Sequence, residues 1–147
     1  MTLKDILAIS GYNGLYRFIS QGRNGIIIEG LTDKKRVNAA SSSRVSALED
    51  IAIYTTDKEV PLKDIFRSIF QKENGGNAID PKSSNDKLKA YFETILPEYD
   101  KDRVYTSDIK KVLTWYNLLL VEKIIDMEED AATEEDLKKS ETTEKAN

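Results

Sequence analysis

The chain has 147 residues, of which 39% are hydrophobic, and its formal net charge is −4; this size suits one domain or two very small ones. It contains no cysteine and no histidine, which excludes disulfides, thiolate nucleophiles, zinc fingers, iron–sulfur clusters and Ser-His-Asp triads. Only carboxylate, lysine or tyrosine chemistry remains open to an enzyme. Because the residues most often used in catalysis and transition-metal binding are absent, we expect no cofactor, no metal site and no catalytic residue.

The N-terminal segment predicts a short helix. Thr2 is a candidate N-cap, and Leu3, Ile6 and Leu7 have the spacing of one helical face. Gly11 then ends the helix, since glycine commonly follows the last helical turn.

The next segment predicts a run of short strands. Branched and aromatic residues alternate with polar ones between turn signals, of which Asn24-Gly25 is the strongest. Four segments are expected to form strands: residues 15–21, 25–31, 35–40 and 50–55. Residues 45–48 are expected to form a helical turn before the last strand. This succession is typical of SH3-like barrels, so residues 1–60 are predicted to form a small antiparallel SH3-like β-barrel domain.

From Pro61 onward the hydrophobic period becomes helical. Pro61 suits the first position of a helix, and the apolar residues that follow recur every three to four positions. Three helices are therefore predicted within residues 61–126, and the short link between the last two favours a helical hairpin. The candidate caps of the second and third helices are Ser83 or Ser84 and Thr106 or Ser107. The predicted fold class is α+β, with the barrel followed by a three-helix module.

Residues 127–147 have almost no apolar side chains. From Asp126 onward, nine acidic residues stand against three lysines, a net charge of −6, so this segment supplies much of the negative total. It cannot bury enough apolar surface to offset its ordering entropy, and we expect a disordered acidic tail.

Basic residues are concentrated in the predicted barrel. Residues 14–46 carry six basic side chains against two acidic ones, a net charge of +4. Tyr12, Tyr16 and Tyr54 supply candidate stacking rings. A basic strand face with aromatic rings is how small barrels hold single-stranded nucleic acid, whereas solvated turn charges beside core tyrosines are the structural alternative. The candidate nucleic-acid-binding residues are Arg17, Arg23, Lys34, Lys35, Arg36 and Arg44.

Trp115 is the candidate partner-binding residue. It lies beside the predicted inner stripe of the third helix, where it can pack on the barrel or contact a partner, since tryptophan is enriched in interface hot spots. The leading hypothesis is a non-catalytic binding module that holds RNA or single-stranded DNA on a basic barrel face. The alternative is a protein–protein adaptor that uses the helical module, and an enzyme that uses carboxylates is the third hypothesis.

Four blocks of the sequence resemble a family of uncharacterised Bacteroidetes proteins that carries a domain-of-unknown-function label. The blocks are residues 14–16 (Gly-Leu-Tyr), 20–29 (Ser-Gln-Gly-Arg-Asn-Gly-Ile-Ile-Ile-Glu), 44–55 (Arg-Val-Ser-Ala-Leu-Glu-Asp-Ile-Ala-Ile-Tyr-Thr) and 60–62 (Val-Pro-Leu). The resemblance implies a bacterial cytoplasmic protein and supplies no activity or site residue. The sequence also has no run of 18 apolar residues and no secretory-signal pattern, so we expect a cytoplasmic protein with no membrane partner.

The composition of the tail gives a first prediction. Removing residues 130–147 should leave the melting temperature within a few degrees, because a segment without apolar side chains contributes little to the core. Thermal denaturation of the truncated and full-length chains by circular dichroism measures this difference. A large loss of stability would show that the tail packs on the rest of the protein.

Overall fold

The computed structural model describes residues 3–12 and 14–125, and in this part of the chain the fold is α+β, as the sequence predicts. Two sheets come first along the chain and three helices follow. The strands are β1 (Ile6–Ile9), β2 (Tyr16–Gln21), β3 (Gly25–Gly30), β4 (Arg36–Ala40), β5 (Val45–Ala47), β6 (Ala52–Tyr54) and β7 (Glu59–Pro61), with a 3₁₀ turn at Leu48–Asp50. The helices are α1 (Leu62–Lys72), α2 (Asn85–Ile95) and α3 (Thr106–Val121). The predicted tail at residues 127–147 lies outside the described residues.

The predicted N-terminal helix is wrong, because residues 6–9 form β1. Asp5, immediately before the strand, has a φ of 67°, which a right-handed helix does not allow. β1 is paired on both sides, with Leu7 opposite Tyr16 in β2 and opposite Ala47 in β5. Two strand partners supplied by distant sequence outweigh a helical pattern only a few residues long.

The larger sheet is open, so the prediction of a closed barrel needs correction. Its five antiparallel strands have the order β4-β3-β2-β1-β5, and β4 and β5 are edge strands within the described part of the chain. The expected last barrel strand, at residues 50–55, instead supplies β6, which pairs with β7. Thr55 closes that hairpin locally: its hydroxyl accepts the Lys58 N–H at 2.9 Å, and its own N–H donates to the Lys58 carbonyl at 2.7 Å. The helical turn expected at residues 45–48 is β5, and the 3₁₀ turn begins only at Leu48.

The two edge strands of the open sheet lie closer together than they would in a flat sheet. In a flat sheet β4 and β5 would lie roughly 19 Å apart. Residues 41–44 join them, and a four-residue link spans at most about 17 Å even when fully extended. This link is also tightened by a hydrogen bond from the Ser43 N–H to the Ala40 carbonyl. Ile28 and Ala39 are completely buried in a small core made of strand residues of this sheet, so the sheet encloses its own interior.

One larger core joins the sheets to the helices. Phe66 of α1 and Leu113 of α3 are fully buried in it, as the helical stripes predict. Ile6 of β1 and Ile53 of β6 belong to the same cluster. Ile53 is buried in the cluster that contains the helical residues and not in the small core of the larger sheet. The helical module therefore packs directly on both sheets.

Local capping explains where the second and third helices begin. The Ser84 hydroxyl accepts the Lys87 N–H at 3.3 Å at the start of α2, which confirms one of its two candidate caps. The N-cap of α3 is Tyr105, one residue before the candidates. There the Asp108 carboxylate accepts the Tyr105 N–H at 3.0 Å, so an acidic side chain in the first turn takes the place of a hydroxyl cap.

The connection between α1 and α2 is held by buried side-chain hydrogen bonds from α3. The Tyr116 hydroxyl donates to the Gly76 carbonyl at 2.9 Å, and the Asn117 side-chain oxygen accepts the Ala78 N–H at 2.8 Å. The Tyr91 hydroxyl donates to the Glu73 carboxylate at the start of this connection. Burial, reinforced by the charge of Glu73, raises the pKa of Tyr116 to about 12. Burial and the hydrogen bond to Glu73 raise the pKa of Tyr91 as well.

The shared core predicts a large cost for truncating its central side chains. Phe66→Ala should lower the free energy of unfolding by about 3–5 kcal/mol and Leu113→Ala by about 2–5 kcal/mol, because each leaves a cavity where packing is complete. Urea denaturation of each variant measures the change. Val121→Ala, at a side chain that is 67% exposed, is the control and should cost less than about 0.5 kcal/mol. If both core variants had the same free energy of unfolding as the wild-type protein, this packing would be contradicted.

The buried tyrosine hydroxyls predict a loss of stability at alkaline pH. The folded pKa of Tyr116 is raised above the unfolded value of about 10, so its contribution is complete below pH 10 and is lost as pH rises towards 12. Tyr116→Phe should cost about 1 kcal/mol at pH 7 and should flatten the decline of stability between pH 10 and 12. Urea titrations at several pH values measure both effects. Tyr105→Phe changes an exposed hydroxyl and is the control; equal pH profiles for the two variants would contradict the assignment.

Candidate functional site

A groove of about 770 Å³ lies between the β1–β5 edge of the larger sheet, β6 and the first half of α3. β1 and the segment leading into β5 contribute Ala8 and Arg44, and β6 contributes Tyr54. On α3, Lys111 and Trp115 stand one helical turn apart and therefore share the face that borders the groove. The groove is thus built where the two halves of the fold meet.

The lining of the groove is basic although the chain as a whole is acidic. Four basic side chains and one acidic side chain, Asp108, line it, a net charge of +3. The −4 of the whole chain is the sum of −6 at residues 126–147 and +2 at residues 1–125, so the groove lining holds more net positive charge than all of residues 1–125. The Asp108 carboxylate already accepts the Tyr105 N–H. Among the described residues, Arg44, Lys110 and Lys111 have no ion-pair partner. These three charges are therefore available to an anionic ligand.

The fourth basic residue of the lining, Arg103, contacts two neighbouring side chains. Its guanidinium carbon lies 4.1 Å from the centre of the Tyr54 ring, which is a cation–π contact. Its Nε donates to a carboxylate oxygen of Asp100 at 2.8 Å. This hydrogen bond lowers the pKa of Asp100 below its usual value.

Three aromatic residues add apolar surface to the same groove. Tyr12 and Tyr54 are 37% and 41% exposed, and Trp115 is half-buried with its inner side against the core. The ring of Tyr12 meets the ring of Tyr16 edge-on, with centres 5.7 Å apart and planes at 86°, which leaves its faces free of that neighbour. Exposed ring faces beside basic side chains can stack with planar groups of a ligand.

Only two of the residues singled out from the sequence line this groove: Arg44 and Trp115. Arg17 and Arg36 lie on β2 and β4, on either side of Glu29 in β3. Arg36 Nε is 3.6 Å from Glu29 Oε1, so the acidic residue offsets part of their charge. Arg17, Glu29 and Arg36 form a row across the larger sheet. The two arginines of this row do not line the groove.

The remaining basic candidates occupy turns. Lys34 and Lys35 are in the turn between β3 and β4, where Lys34 Nζ is 3.3 Å from Glu122 Oε1 just after α3. Arg23 is in the turn between β2 and β3, at the other end of β3, roughly 20 Å away. The six basic residues are therefore divided among four places: the groove, the sheet surface around Glu29 and two different turns. The sequence shows which residues occupy turns, but the strand order decides which turns adjoin.

The sequence reasoning missed the basic residues from the helical half. Arg103, Lys110 and Lys111 line the groove together with Arg44. The pair of lysines stands four and five residues before Trp115, and this spacing on a predicted helix was the available signal. Nothing local to Arg103 indicates its position, because Tyr54 lies almost fifty residues earlier in the chain.

The described residues offer no sign of a metal centre or a membrane span. No group of three or more acidic, cysteine or histidine side chains in this part of the protein is arranged to hold a metal ion. No helix among the same residues has the length and apolar character needed to cross a bilayer.

Comparison with known proteins finds two family models and one solved structure. Residues 3–48 match a domain of unknown function, DUF5606, and residues 51–119 match another, DUF6852. A solution NMR structure from Bacteroides vulgatus, a Northeast Structural Genomics Consortium target, is 46% identical, with a TM-score of 0.73. The match covers 86% of this chain and 91% of that one. No curated protein matches the chain.

Proposed function

We propose that this chain, which belongs to the same uncharacterised family as the Bacteroides vulgatus protein, is a non-catalytic binding module that holds single-stranded nucleic acid in the groove. The observation that supports this proposal most directly is the lining, which brings a net charge of +3 and three aromatic residues into one groove, whereas all of residues 1–125 together carry only +2. The basic side chains would contact phosphates and the rings would stack with bases. The proposal includes a cytoplasmic location, as the family resemblance implies.

The groove favours a flexible single strand over a duplex. The apolar residues Ile51 and Ile53 line it together with the exposed ring of Tyr54, so its lining combines apolar surface with charge. A duplex offers mainly its phosphates to a protein surface, whereas a single strand also offers unstacked base faces. Sequence-tolerant binding is expected, because stacking and phosphate contacts do not read base edges.

The groove residues give a binding prediction. Lys110→Ala/Lys111→Ala should weaken binding of a labelled oligo(dT) or oligo(U), and the slope of log affinity against log salt should fall by about 1.4, since two phosphate contacts are lost. Fluorescence anisotropy at several salt concentrations measures affinity and slope. Trp115 is the single tryptophan and lines the groove, so its intrinsic fluorescence provides a label-free second readout.

A charge-matched control comes from α2. Lys87→Ala/Lys89→Ala removes two exposed helical lysines that do not line the groove, and it should leave both affinity and slope near the wild-type values. Equal effects of the two double variants would indicate non-specific attraction and contradict the proposal. Absence of any oligonucleotide binding at low salt would also contradict it, and quenching of Trp115 by an acidic peptide instead would favour the protein–protein adaptor.

A further inference from the structure

We infer that Arg103 is the residue that orients the bound strand in the groove, and that it binds two oxygens of one phosphate. This inference rests on the proposed function and adds to it the residue that holds a phosphate in a defined direction. Arg103 differs from the other basic residues of the lining because two neighbours, Tyr54 and Asp100, contact its guanidinium.

Two contacts restrict the orientation of the guanidinium. Its carbon lies 4.1 Å from the centre of the Tyr54 ring, a cation–π contact that holds the group beside the ring. The hydrogen bond from Nε to Asp100 Oδ2, at 2.8 Å, holds its Nε edge. Together the two contacts limit the directions in which the two terminal amino groups can point.

Backbone hydrogen bonds hold these two neighbours in register with each other. The Asp100 N–H donates to the Tyr54 carbonyl at 2.9 Å, and the Thr56 N–H donates to the Glu98 carbonyl at 3.0 Å. The second carboxylate oxygen of Asp100 accepts the Asp102 N–H at 2.9 Å. The ring and the carboxylate therefore belong to one short ladder between β6 and the segment before α3.

The two terminal amino groups of Arg103 have no acceptor among the described residues. Within the described part of the chain, the bond from Nε to Asp100 is the one hydrogen bond that its side chain makes. The two terminal amino groups form a planar fork that matches two oxygens of a phosphate. Lys110 and Lys111 have no such fork and act as point charges. The groove thus combines one directional anion contact with several non-directional ones.

The inference is tested by a variant that keeps the positive charge at position 103 and removes the planar pair of amino groups. Arg103→Lys should weaken binding of oligo(dT) about tenfold, because bidentate charge-assisted hydrogen bonds are lost, while the salt slope stays at its wild-type value because the charge remains. Arg23→Lys, the same change in an exposed turn away from the groove, is the control. Tyr54→Phe should retain affinity because it keeps the ring face, whereas Tyr54→Leu should lose it. Thermal melts establish that each variant is folded.

The outcomes separate this inference from the proposed function. Wild-type affinity in Arg103→Lys, together with weakened binding in Lys110→Ala/Lys111→Ala, would overturn only the role of Arg103. The role of Arg103 would also be overturned by a lower slope of log affinity against log salt in Arg103→Lys. Equal losses of oligo(dT) affinity in Tyr54→Phe and Tyr54→Leu would overturn it as well. If poly-glutamate binds as tightly as oligo(dT), and with the same loss in Arg103→Lys, the fork recognises carboxylates and the inference of a phosphate is wrong.

Discussion

Burial of the apolar stripe of α3 is the constraint on which the rest of the structure depends. Five of its side chains are buried: Ile109, Val112, Leu113, Tyr116 and Leu119. Because their burial fixes the rotation of α3 about its axis, the flanking positions Lys111 and Trp115 must border the groove. The same orientation directs the Tyr116 hydroxyl to the α1–α2 connection, and Glu122 just beyond the helix meets Lys34 of the β3–β4 turn. A single helix therefore ties the helical half to the sheet at several points.

The charge pattern of the groove follows from the way the two halves contribute to it. The sheet supplies Arg44, and the helical half supplies Arg103, Lys110 and Lys111 together with Asp108, so the sheet adds +1 to the +2 of the helical half. Bringing these charges together in a partly apolar recess concentrates positive potential there, because low-dielectric walls screen it less than water does.

Sequence alone predicted the helices well and the sheet only in part. The apolar period that begins after Pro61 is local information, and α1, α2 and α3 form where it occurs. β1 was mistaken for a helix because its identity depends on two strand partners far along the chain. β6 was assigned to the wrong sheet, since the alternation of Ile51 and Ile53 is the same whichever strand pairs with it.

The candidate site shows the same limit. Arg44 and Trp115 were chosen for residue type, and both line the groove. The other basic candidates were grouped because they are close in sequence, yet the strand order separates Arg23 from Lys34. Arg103 gains its neighbour Tyr54 from the packing of a loop on β6, which no local pattern encodes.

The position of β1 in the sheet also determines an order of assembly. β1 is the first strand in the sequence but lies between β2 and β5, and Ile9 pairs with Val45, 36 residues later. The meander of β2, β3 and β4 needs only short loops, so its contacts form at small entropic cost, whereas the β1–β5 ladder must close a long loop. During synthesis β1 can pair with β2 through a short loop, but its other edge gains a partner only after β5 has been made. Since Arg44 directly precedes β5, the sheet wall of the groove is completed by the pairing with the greatest sequence separation in that sheet.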